Sequence, residues 1–392
     1  MQIASRFGAG FILGSQILTL ALMALVGNVC RGTQVVAWGA GKTVNIGSTN
    51  DYGQAIVPAN LTNAVMVAGG WWHSMAVKAD GTLQGWGDDR LEQIDLPPTN
   101  NYVAVACGDW HTLALMSNGN VAVTGDYDYY GEDDVPPGLT NAVAVACGFY
   151  HCLVLKADGS LAAWGGQGDV DYGQGTVPSG LSNVVAIAAG GYDNLVLKAD
   201  GSLFEWGANN FGETNIPAGL SNVVAIAVGD EDNLALESDG TVAAWGNDQY
   251  GETDVPPSLS NVVAIAAGSW HDLALKSNGT VVAWGLDTEG DTDVPANLTN
   301  VIQIAAGDVH SLALVGNGPP ITRAALLQPH FGTNGFSMSL PTQNGRVFQL
   351  QYKDSLTNGV WQSLPLNAGT GSDLQLTDST IAPQRFYRVV RW

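Results

Sequence analysis

Hydrophobic and polar positions repeat along this chain with a period of about 39 residues. The pattern is plainest at residues 262–285, which read VVAIAAGSWHDLALKSNGTVVAWG. The nearly all-apolar VVAIAA predicts a short strand that is buried on both faces. LALK and TVVAW alternate apolar and polar residues, so each predicts a strand with one buried face. One repeat therefore predicts a small antiparallel sheet of three or four strands.

Three marker features recur seven times along the chain. The first is the glycine that follows the apolar strand, at Gly70, Gly108, Gly148, Gly190, Gly229, Gly268 and Gly307. The second is an Asp-Gly or Asn-Gly pair ending at Gly81, Gly119, Gly159, Gly201, Gly240, Gly279 and Gly318, and the third is a proline at Pro58, Pro97, Pro136, Pro178, Pro217, Pro256 and Pro295. The pairs predict tight hairpins in which both central residues take positive φ. Seven such sheets bury their faces by packing radially, which predicts a β-propeller.

The two ends of the repeat region predict how the ring closes. The last repeat lacks a third strand, because Pro319-Pro320 follow its Asn317-Gly318 turn. The missing VVAWG sequence stands at residues 35–39, ahead of the first complete repeat. Docking it beside the last repeat would remove the exposed sheet edges. The predicted fold is therefore all-β, a seven-bladed β-propeller over residues 33–318 that is closed by the N-terminal strand.

Two different segments flank the repeats. Arg6 precedes an uncharged, largely apolar run at residues 7–27, and Asn28 and Arg31 follow it. This layout predicts a signal peptide over residues 1–32, with an uncleaved membrane anchor as the alternative. Residues 319–392 hold predicted strands at 336–340, 347–352, 361–364, 374–376 and 386–390, which indicate a small β-sandwich that resembles fibronectin-like modules. We expect a secreted or cell-envelope protein that is not inserted in the membrane after signal cleavage.

The charge is unevenly distributed and narrows the class of partner. The chain has 36 acidic and 14 basic residues, which gives a net charge of −22. Residues 33–318 hold 33 acidic and 6 basic residues, a charge of −27, whereas residues 319–392 carry +3. Such a field repels phosphate backbones and anionic lipid head groups, so no nucleic-acid partner is expected.

Tryptophans and histidines that recur once per repeat are interpreted as scaffold residues. The tryptophans are Trp38, Trp86, Trp164, Trp206, Trp245 and Trp284, and their shared position predicts packing between blades. The histidines are His73, His111, His151, His271 and His310, with Asp193 and Asp232 in the two remaining repeats. A catalytic group is needed only once, whereas a hydrogen bond that braces a turn is needed in every blade. No catalytic residue is therefore predicted.

Cysteines and clustered carboxylates are the candidates for a metal site, and neither has a metal-site spacing. Cys107 and Cys147 share one repeat position, which indicates small buried residues, although Cys147 and Cys152 could meet across a turn. The acidic residues in the loop 125–134 fit no EF-hand, because Tyr130 occupies a ligand position and Pro137 replaces the closing glutamate. No metal and no cofactor is predicted.

Two sets of aromatic residues vary from repeat to repeat. The first set precedes the repeated histidine and contains Trp72, Trp110, Tyr150, Tyr192 and Trp270, while the second lies in the loop before the next repeat and contains Tyr52, Tyr130, Tyr172, Phe211 and Tyr250. In an antiparallel meander these two connections emerge on the same face, opposite the hairpin turns. All ten residues are therefore predicted to form a binding face, while the opposite face carries only tight polar turns. The alternative is that the rings merely cover neighbouring blades.

The repeat AAGxxHxLALKxDGxVxAWG resembles the regulator of chromosome condensation repeat, whose members are seven-bladed propellers closed in this way. With its WGxxxxGxTxVP extension it is similar to secreted bacterial propellers that inhibit β-lactamases. In those inhibitors loop aromatics on one face contact the target protein, and the first aromatic set matches these positions. The chain departs from the repeat at Thr124, where the tryptophan is expected, and shows no sign of the inserted wedge or basic tails of the exchange factors.

Together these patterns predict an exported, monomeric, non-enzymatic protein that binds a protein or a glycan through one aromatic propeller face. Two alternatives remain open. One is an enzyme that acts on polysaccharide through carboxylates at the channel mouth, because carboxylate spacing in three dimensions cannot be judged from sequence. The other is a structural adhesion module at the cell surface.

Overall fold

The computed structural model describes residues 33–43, 50–125, 129–317, 327–332, 335–354, 361–370, 373–380 and 385–392. The predicted leader at 1–32 and the acidic residues Asp126 and Asp128 lie outside this part of the chain. Within it, every regular element is a β-strand except one 3-10 turn, Gly168–Val170. No helix among the described residues is long and apolar enough to cross a membrane.

Seven three-stranded antiparallel sheets form the blades. The chain begins with β1 (Gln34–Gly39), and blade 1 follows with β2 (Ala64–Gly69), β3 (His73–Lys78) and β4 (Leu83–Gly87). Blade 2 contains β5 (Tyr102–Cys107), β6 (Thr112–Met116) and β7 (Val121–Thr124); blade 3 contains β8 (Ala142–Cys147), β9 (His151–Lys156) and β10 (Leu161–Gly165); blade 4 contains β11 (Val184–Ala189), β12 (Asp193–Lys198) and β13 (Leu203–Gly207). Blade 5 contains β14 (Val223–Val228), β15 (Asp232–Glu237) and β16 (Val242–Gly246); blade 6 contains β17 (Val262–Ala267), β18 (His271–Lys276) and β19 (Val281–Gly285); blade 7 contains β20 (Val301–Ala306), β21 (His310–Val315) and β1.

The ring closes as the sequence predicts. β1 pairs antiparallel with β21 in continuous register, so the N-terminal strand becomes the outer strand of blade 7. Val35 of β1 and Leu312 of β21 share one buried cluster with Ala64 of blade 1. The indole Nε1 of Trp38 donates a 2.8 Å hydrogen bond to the carbonyl oxygen of Asp291. Blade 7 therefore packs against blade 1 through a strand that comes from the other end of the repeat region.

The glycines of the first marker series form a closed ring around the propeller axis. The first strand of each blade is the innermost and contacts the first strands of both neighbouring blades. A Cβ on Gly70 would lie 2.6 Å from the carbonyl oxygen of Gly108, and a Cβ on each other glycine of the series would be at least as close to the next one around the ring, ending with Gly307 against Gly70. Glycine recurs here because the backbones approach too closely for any side chain.

The hairpins follow the Asp-Gly and Asn-Gly pairs, but their turn type differs from the prediction. Only the glycine has positive φ, for example +78° at Gly81, whereas Asp80 does not. The N–H of Lys78 donates to the carbonyl of Thr82, and the N–H of Gly81 donates to the carbonyl of Lys78, both at 2.8 Å. This is a type I turn followed by a left-handed glycine. Asp80 Oδ1 accepts the N–H of Thr82 at 3.0 Å, so the aspartate stabilises the turn without adopting positive φ itself.

The repeated tryptophans pack between blades, as predicted. All six are buried, and Trp164 of blade 3 shares a cluster with Leu113 of blade 2. Five of them donate an Nε1 hydrogen bond of 2.7–2.8 Å to a carbonyl of the loop that enters their own blade: Trp38 to Asp291, Trp86 to Gln54, Trp164 to Glu132, Trp245 to Glu213 and Trp284 to Glu252. In blade 2 the hydroxyl of Thr124 donates to the carbonyl of Glu92 at 2.8 Å. This blade therefore keeps a hydrogen bond to its entering loop although it has no indole ring at this position.

The repeated histidines are structural, although their bonds join blades instead of bracing a turn within one blade. His73 Nε2 lies 2.9 Å from the hydroxyl of Thr112 in the next blade, and that hydroxyl donates to the carbonyl of Gln93, so the histidine is the donor. His151, His271 and His310 make the same kind of bond, to Asn194, Ser311 and Ser74 respectively. Burial lowers the pKa of His73 and His310 to about 3 and that of His151 and His271 to about 4. These rings are therefore neutral donors at neutral pH.

The C-terminal segment folds as two packed sheets. One contains β22 (Leu327–Gly332), β23 (Gly335–Pro341) and β26 (Asp373–Asp378), and the other contains β24 (Val347–Lys353), β25 (Gln362–Ala368) and β27 (Phe386–Arg391). Met338 and Leu376 of the first sheet share a core with Phe348 and Tyr387 of the second. Five of these strands were predicted, whereas β22 was not.

This C-terminal segment packs on the hairpin face of the propeller, the face that carries the Asp-Gly turns. The N–H of Leu366 donates to the carbonyl of Ala157 in the blade 3 turn at 2.9 Å, and the side-chain amide of Asn344 donates to the carbonyl of Val103 in blade 2 at 2.5 Å. Val347 and Leu366 belong to the same buried cluster as Leu155. The prediction that this face carries only polar turns was therefore wrong, because part of it is covered.

Replacing a ring glycine tests the packing at the axis. We expect Gly148→Ala to lower the free energy of unfolding by about 3 kcal/mol, because its Cβ would overlap the carbonyl of Gly190 and the ring of His151. Gly180→Ala is the control: φ is +83° and no atom lies within 4 Å of its Cβ position, so only backbone strain of about 1 kcal/mol is expected. Urea unfolding monitored by circular dichroism measures both values. Equal losses would contradict the steric origin of the ring.

Candidate binding face

Aromatic rings from four consecutive blades form a continuous ladder on the loop face, the face opposite the hairpin turns. Ring centroids are 4.2 Å apart for Trp71 and Trp72, and 5.5 Å apart for Trp71 and Trp110. The ladder continues from Trp110 to Tyr150 at 5.7 Å and from Tyr150 to Tyr192 at 6.0 Å. All five rings are half-buried, so each packs against its neighbours while part of its surface stays accessible.

The second aromatic set packs onto the first in three blades. The Tyr52 and Trp72 centroids are 4.9 Å apart, those of Tyr130 and Tyr150 4.6 Å, and those of Tyr172 and Tyr192 5.3 Å. Each second-set ring comes from the loop that enters the blade of its partner. The prediction that both sets meet on one face is confirmed for blades 1, 3 and 4. We call Tyr52, Trp71, Trp72, Trp110, Tyr130, Phe149, Tyr150, Tyr172 and Tyr192 the aromatic face.

Three residues of the predicted face stand apart from it. Phe211 and Tyr250 are 48% and 42% exposed, and Trp270 is half-buried; none makes a ring contact with another aromatic residue in the described chain. The first-set position is Glu231 in blade 5 and buried Val309 in blade 7. The aromatic face therefore covers blades 1 to 4 instead of encircling the channel.

Trp71 and Phe149 belong to the aromatic face but were missed from the sequence. Both stand directly after a ring glycine, at a position that reads Trp71, Asp109, Phe149, Gly191, Asp230, Ser269 and Asp308 around the ring. We call this the inner position. The ring centroid of Phe149 lies 6.1 Å from that of Tyr150 and 5.6 Å from that of Tyr192, so Phe149 packs against two rings of the ladder. The signal that could have identified the inner position was its variability beside an invariant glycine.

Buried amide and carboxylate side chains fix the backbone of the loop aromatics. The Oε1 atom of Gln54 accepts the N–H of Tyr52 at 3.0 Å, and Gln174 accepts that of Tyr172 at 2.7 Å. Glu132 accepts the N–H of Tyr130 at 3.0 Å in the same way. Gln54, Glu132 and Gln174 are buried, and the carbonyls of the first two also accept the tryptophan bonds described above. These residues, which the sequence analysis did not single out, hold the loops to the scaffold.

Three inner-position residues, Asp109, Asp230 and Asp308, are carboxylates whose charges interact. We call the end of the propeller axis where they stand the channel mouth. Asp109 and Asp308 are buried and Asp230 is half-buried. Burial is the main cause that raises the pKa of each, to well above the ordinary range for Asp109, to about 8 for Asp230 and to about 6 for Asp308. Repulsion from Asp308 and Asp230 raises the pKa of Asp109 further. Asp230 therefore holds its proton at neutral pH, whereas Asp308 is mostly ionised.

The acidic mouth and the aromatic face form one surface. Hydrogen bonds from Ser269 and from Trp71 of the ladder lower the pKa of Asp308, against the larger effect of burial. Burial and then the nearby charges of Asp230 and Asp109 raise the pKa of Tyr192 to about 12. Aromatic rings and carboxylates thus lie side by side at the rim of the channel.

The aromatic face already holds one cation from its own chain. The guanidinium of Arg90 lies 4.3 Å from the ring centroid of Tyr52 and 5.7 Å from that of Trp72. Asp88 anchors it with two hydrogen bonds, of 2.8 and 2.9 Å. Stacking on aromatic rings together with a paired carboxylate is the usual environment of a bound arginine. The chemistry of this surface therefore suits cationic side chains.

The family of the repeats is identified by comparison. The Regulator of chromosome condensation (RCC1) repeat matches residues 65–93, 102–132, 142–174 and 262–291. Four segments of the chain therefore match this repeat, in agreement with the resemblance seen in the sequence. A comparison with curated proteins finds no match.

Solved propellers share the fold at low sequence identity. Prp20p of Saccharomyces cerevisiae, described with its binding to Gsp1p and histones, is 19% identical with a TM-score of 0.60 over 73% of this chain and 92% of its own. Human WBSCR16 is 19% identical with a TM-score of 0.55, covering 73% of this chain and 99% of its own. The ectodomain of the Physcomitrella patens receptor kinase CR4 is 20% identical with a TM-score of 0.53, covering 67% and 74%. At these identities the similarity establishes the fold alone.

The protonated carboxylates predict how stability depends on pH. The pKa is raised to about 8 for Asp230 and to about 7 for Glu205 and Asp291, so the folded protein holds protons that the unfolded chain has already released. Stability must fall as the pH rises through these folded-state values. Between pH 7 and 8.5 we expect a loss of about 1–2 kcal/mol, measured by urea unfolding.

Asp230→Asn isolates the contribution of the channel mouth. This variant should lose a large part of the pH dependence, because the amide does not titrate. Asp239→Asn, in an exposed hairpin where hydrogen bonds from Thr241 lower the pKa, should keep the wild-type slope above pH 7. A slope that is equal in all three proteins would contradict the raised pKa of Asp230.

Proposed function

We propose that this protein is an exported, non-enzymatic binding protein that takes a protein partner on its aromatic face, with a Lys or Arg side chain of the partner entering the acidic channel mouth. The observation that carries the proposal is the unbroken ladder of half-buried rings beside three inner-position carboxylates. The C-terminal segment packs on the opposite face, so it leaves this surface available.

The ladder suits protein recognition for energetic reasons. An aromatic side chain can bury roughly 150–250 Å² of surface, and rings already fixed by their neighbours lose little further conformational freedom when a partner binds. Tyrosine and tryptophan are also the residues most enriched in binding hot spots. The rigid blades and the buried Gln54, Glu132 and Gln174 support a surface that is organised before the partner arrives.

A basic side chain of the partner matches the charge of this surface. Arg90 occupies such an aromatic and carboxylate environment within the chain itself. A cation that enters the mouth would favour ionised Asp109 and Asp230 and so release protons on binding. The propeller charge of −27 would also steer a basic partner toward it.

A protein partner is favoured over a glycan by two considerations. Prp20p, which shares the fold, was described with its binding to the proteins Gsp1p and histones. A cation that enters the channel mouth would stabilise the ionised form of these carboxyl groups, and neutral glycans carry no such positive charge. Export is proposed from the basic residue, apolar run and polar end of residues 1–32.

Capture on the immobilised protein tests the proposal. Full-length wild-type protein is incubated with a detergent-free extract of the native cell envelope, and retained proteins are quantified by mass spectrometry. We expect Trp72→Ala with Trp110→Ala to reduce retention of the specific partner at least about tenfold, because each ring acts as a hot spot. Raising the salt concentration should weaken capture by wild type.

A matched control is Phe204→Ala, which removes an exposed ring (39%) from β13, away from the aromatic face. This variant should retain the partner as wild type does, and circular dichroism verifies that all variants fold. Retention of the same proteins by every variant would exclude the aromatic face as the site. Binding on a glycan array that is lost in the double variant would assign the face to a glycan instead.

A further inference from the structure

A pocket of two thiols and one imidazole lies between blades 2 and 3. His111, Cys147 and Cys152 are all buried, and their ligand atoms lie within 4.8 Å of one another. Cys147 at the end of β8 stands directly opposite Cys152 on β9, so strand pairing brings the two thiols together. His111 approaches from the neighbouring blade. The sequence interpretation of small buried residues does not account for this grouping.

The pocket arises because blade 3 lacks the polar residue that accepts a hydrogen bond from the preceding histidine in four other blades. The residue after the repeated histidine position is polar in six blades: Ser74, Thr112, Asn194, Asn233, Asp272 and Ser311. Four of these polar residues accept the bond from the histidine of the preceding blade. Blade 3 has Cys152 instead, so the buried Nε2 of His111 has no oxygen partner and the Cys147 thiol is the neighbouring group of the ring. A fully enclosed imidazole nitrogen without an oxygen partner is costly unless another ligand satisfies it.

We propose that His111, Cys147 and Cys152 bind a Zn²⁺ ion. Thiolate sulfur and imidazole nitrogen are the ligands that zinc takes in proteins. Zn–S and Zn–N bonds of about 2.3 and 2.0 Å place the ligand atoms about 3.5–4 Å apart, which fits within the observed span of 4.8 Å. Two thiolates neutralise the charge of Zn²⁺, whereas Cu⁺ would leave a net negative charge in this buried pocket.

An oxygen ligand for a fourth position is also present. The carbonyl oxygen of Glu132 lies 3.9 Å from Cys152 Sγ and accepts a hydrogen bond from this thiol. In five other blades the equivalent carbonyl accepts a hydrogen bond from the polar residue that Cys152 replaces, as Gln93 does from Thr112. Zinc binding would require both thiols to lose their protons, so affinity should rise with pH.

Zinc titration of the full chain, purified in its reduced and metal-free form, tests the proposal. Zn²⁺ is titrated in competition with a chromophoric chelator, and thermal unfolding is followed with and without the ion. We expect one Zn²⁺ per chain and a higher Tm in its presence, because an ion that binds only the folded state stabilises it.

Cys152→Ser is the decisive variant. It restores the hydroxyl that Ser74 and Ser311 supply in other blades, so His111 regains an oxygen partner and the fold should hold. We expect at least about a tenfold loss of zinc affinity in this variant and no rise in Tm with zinc. Cys107→Ala, which changes the same repeat position as Cys147 but in blade 2, is the control and should bind zinc as wild type does.

Three outcomes would overturn the proposal. They are equal zinc binding by wild type and Cys152→Ser, a Cys147–Cys152 disulfide in protein isolated from its native compartment without reductant, and binding of Cu⁺ with none of Zn²⁺. The control distinguishes loss of a ligand from general loss of a thiol, because Cys107→Ala removes one cysteine as well.

Discussion

The close approach of seven glycines at the axis is the constraint on which the rest of the structure depends. Each glycine lies against the carbonyl of the next, and Gly307 lies against Gly70. Because no side chain fits, the connections that follow these glycines are drawn together at one end of the channel. The inner-position residues and the first aromatic set are therefore concentrated on the loop face, whatever their chemistry. The scaffold determines where these residues stand, and their variation from blade to blade determines what the surface can bind.

Much of the fold follows from features that the sequence states directly. The last repeat lacks a VVAWG strand, and this sequence stands instead at residues 35–39. Their match identifies the closure, because an unpaired sheet edge must be covered. The two aromatic sets could be assigned to one face because an antiparallel meander places alternate connections on the same side. The scaffold role of the tryptophans and histidines followed from their recurrence, since a residue that most blades share is expected to serve the blades themselves.

The remaining features depend on distances across the ring, which repeat spacing does not encode. Asp109, Asp230 and Asp308 lie in three separate repeats of the chain. Beyond the larger effect of burial, the charges of Asp308 and Asp230 nevertheless raise the pKa of Asp109, and the charge of Asp308 raises the pKa of Asp230. The docking of the C-terminal segment through Leu366 and Asn344 was likewise hidden, because both bonds use backbone carbonyls of the propeller. The turn type was misjudged because Asp80 stabilises a type I turn through its side chain.

The thiol–imidazole pocket and the aromatic face share the same turn of chain. Phe149 and Tyr150 form the connection between Cys147 and Cys152, and Trp110 directly precedes His111. An ion bound by these three ligands would cross-link the turn that carries Phe149 and Tyr150 to the blade that carries Trp110. Elsewhere a hydroxyl or amide makes that link with one hydrogen bond of 2.8–3.1 Å. Blade 3 would replace this hydrogen bond with metal coordination, so the rigidity of the aromatic face would depend on the ion.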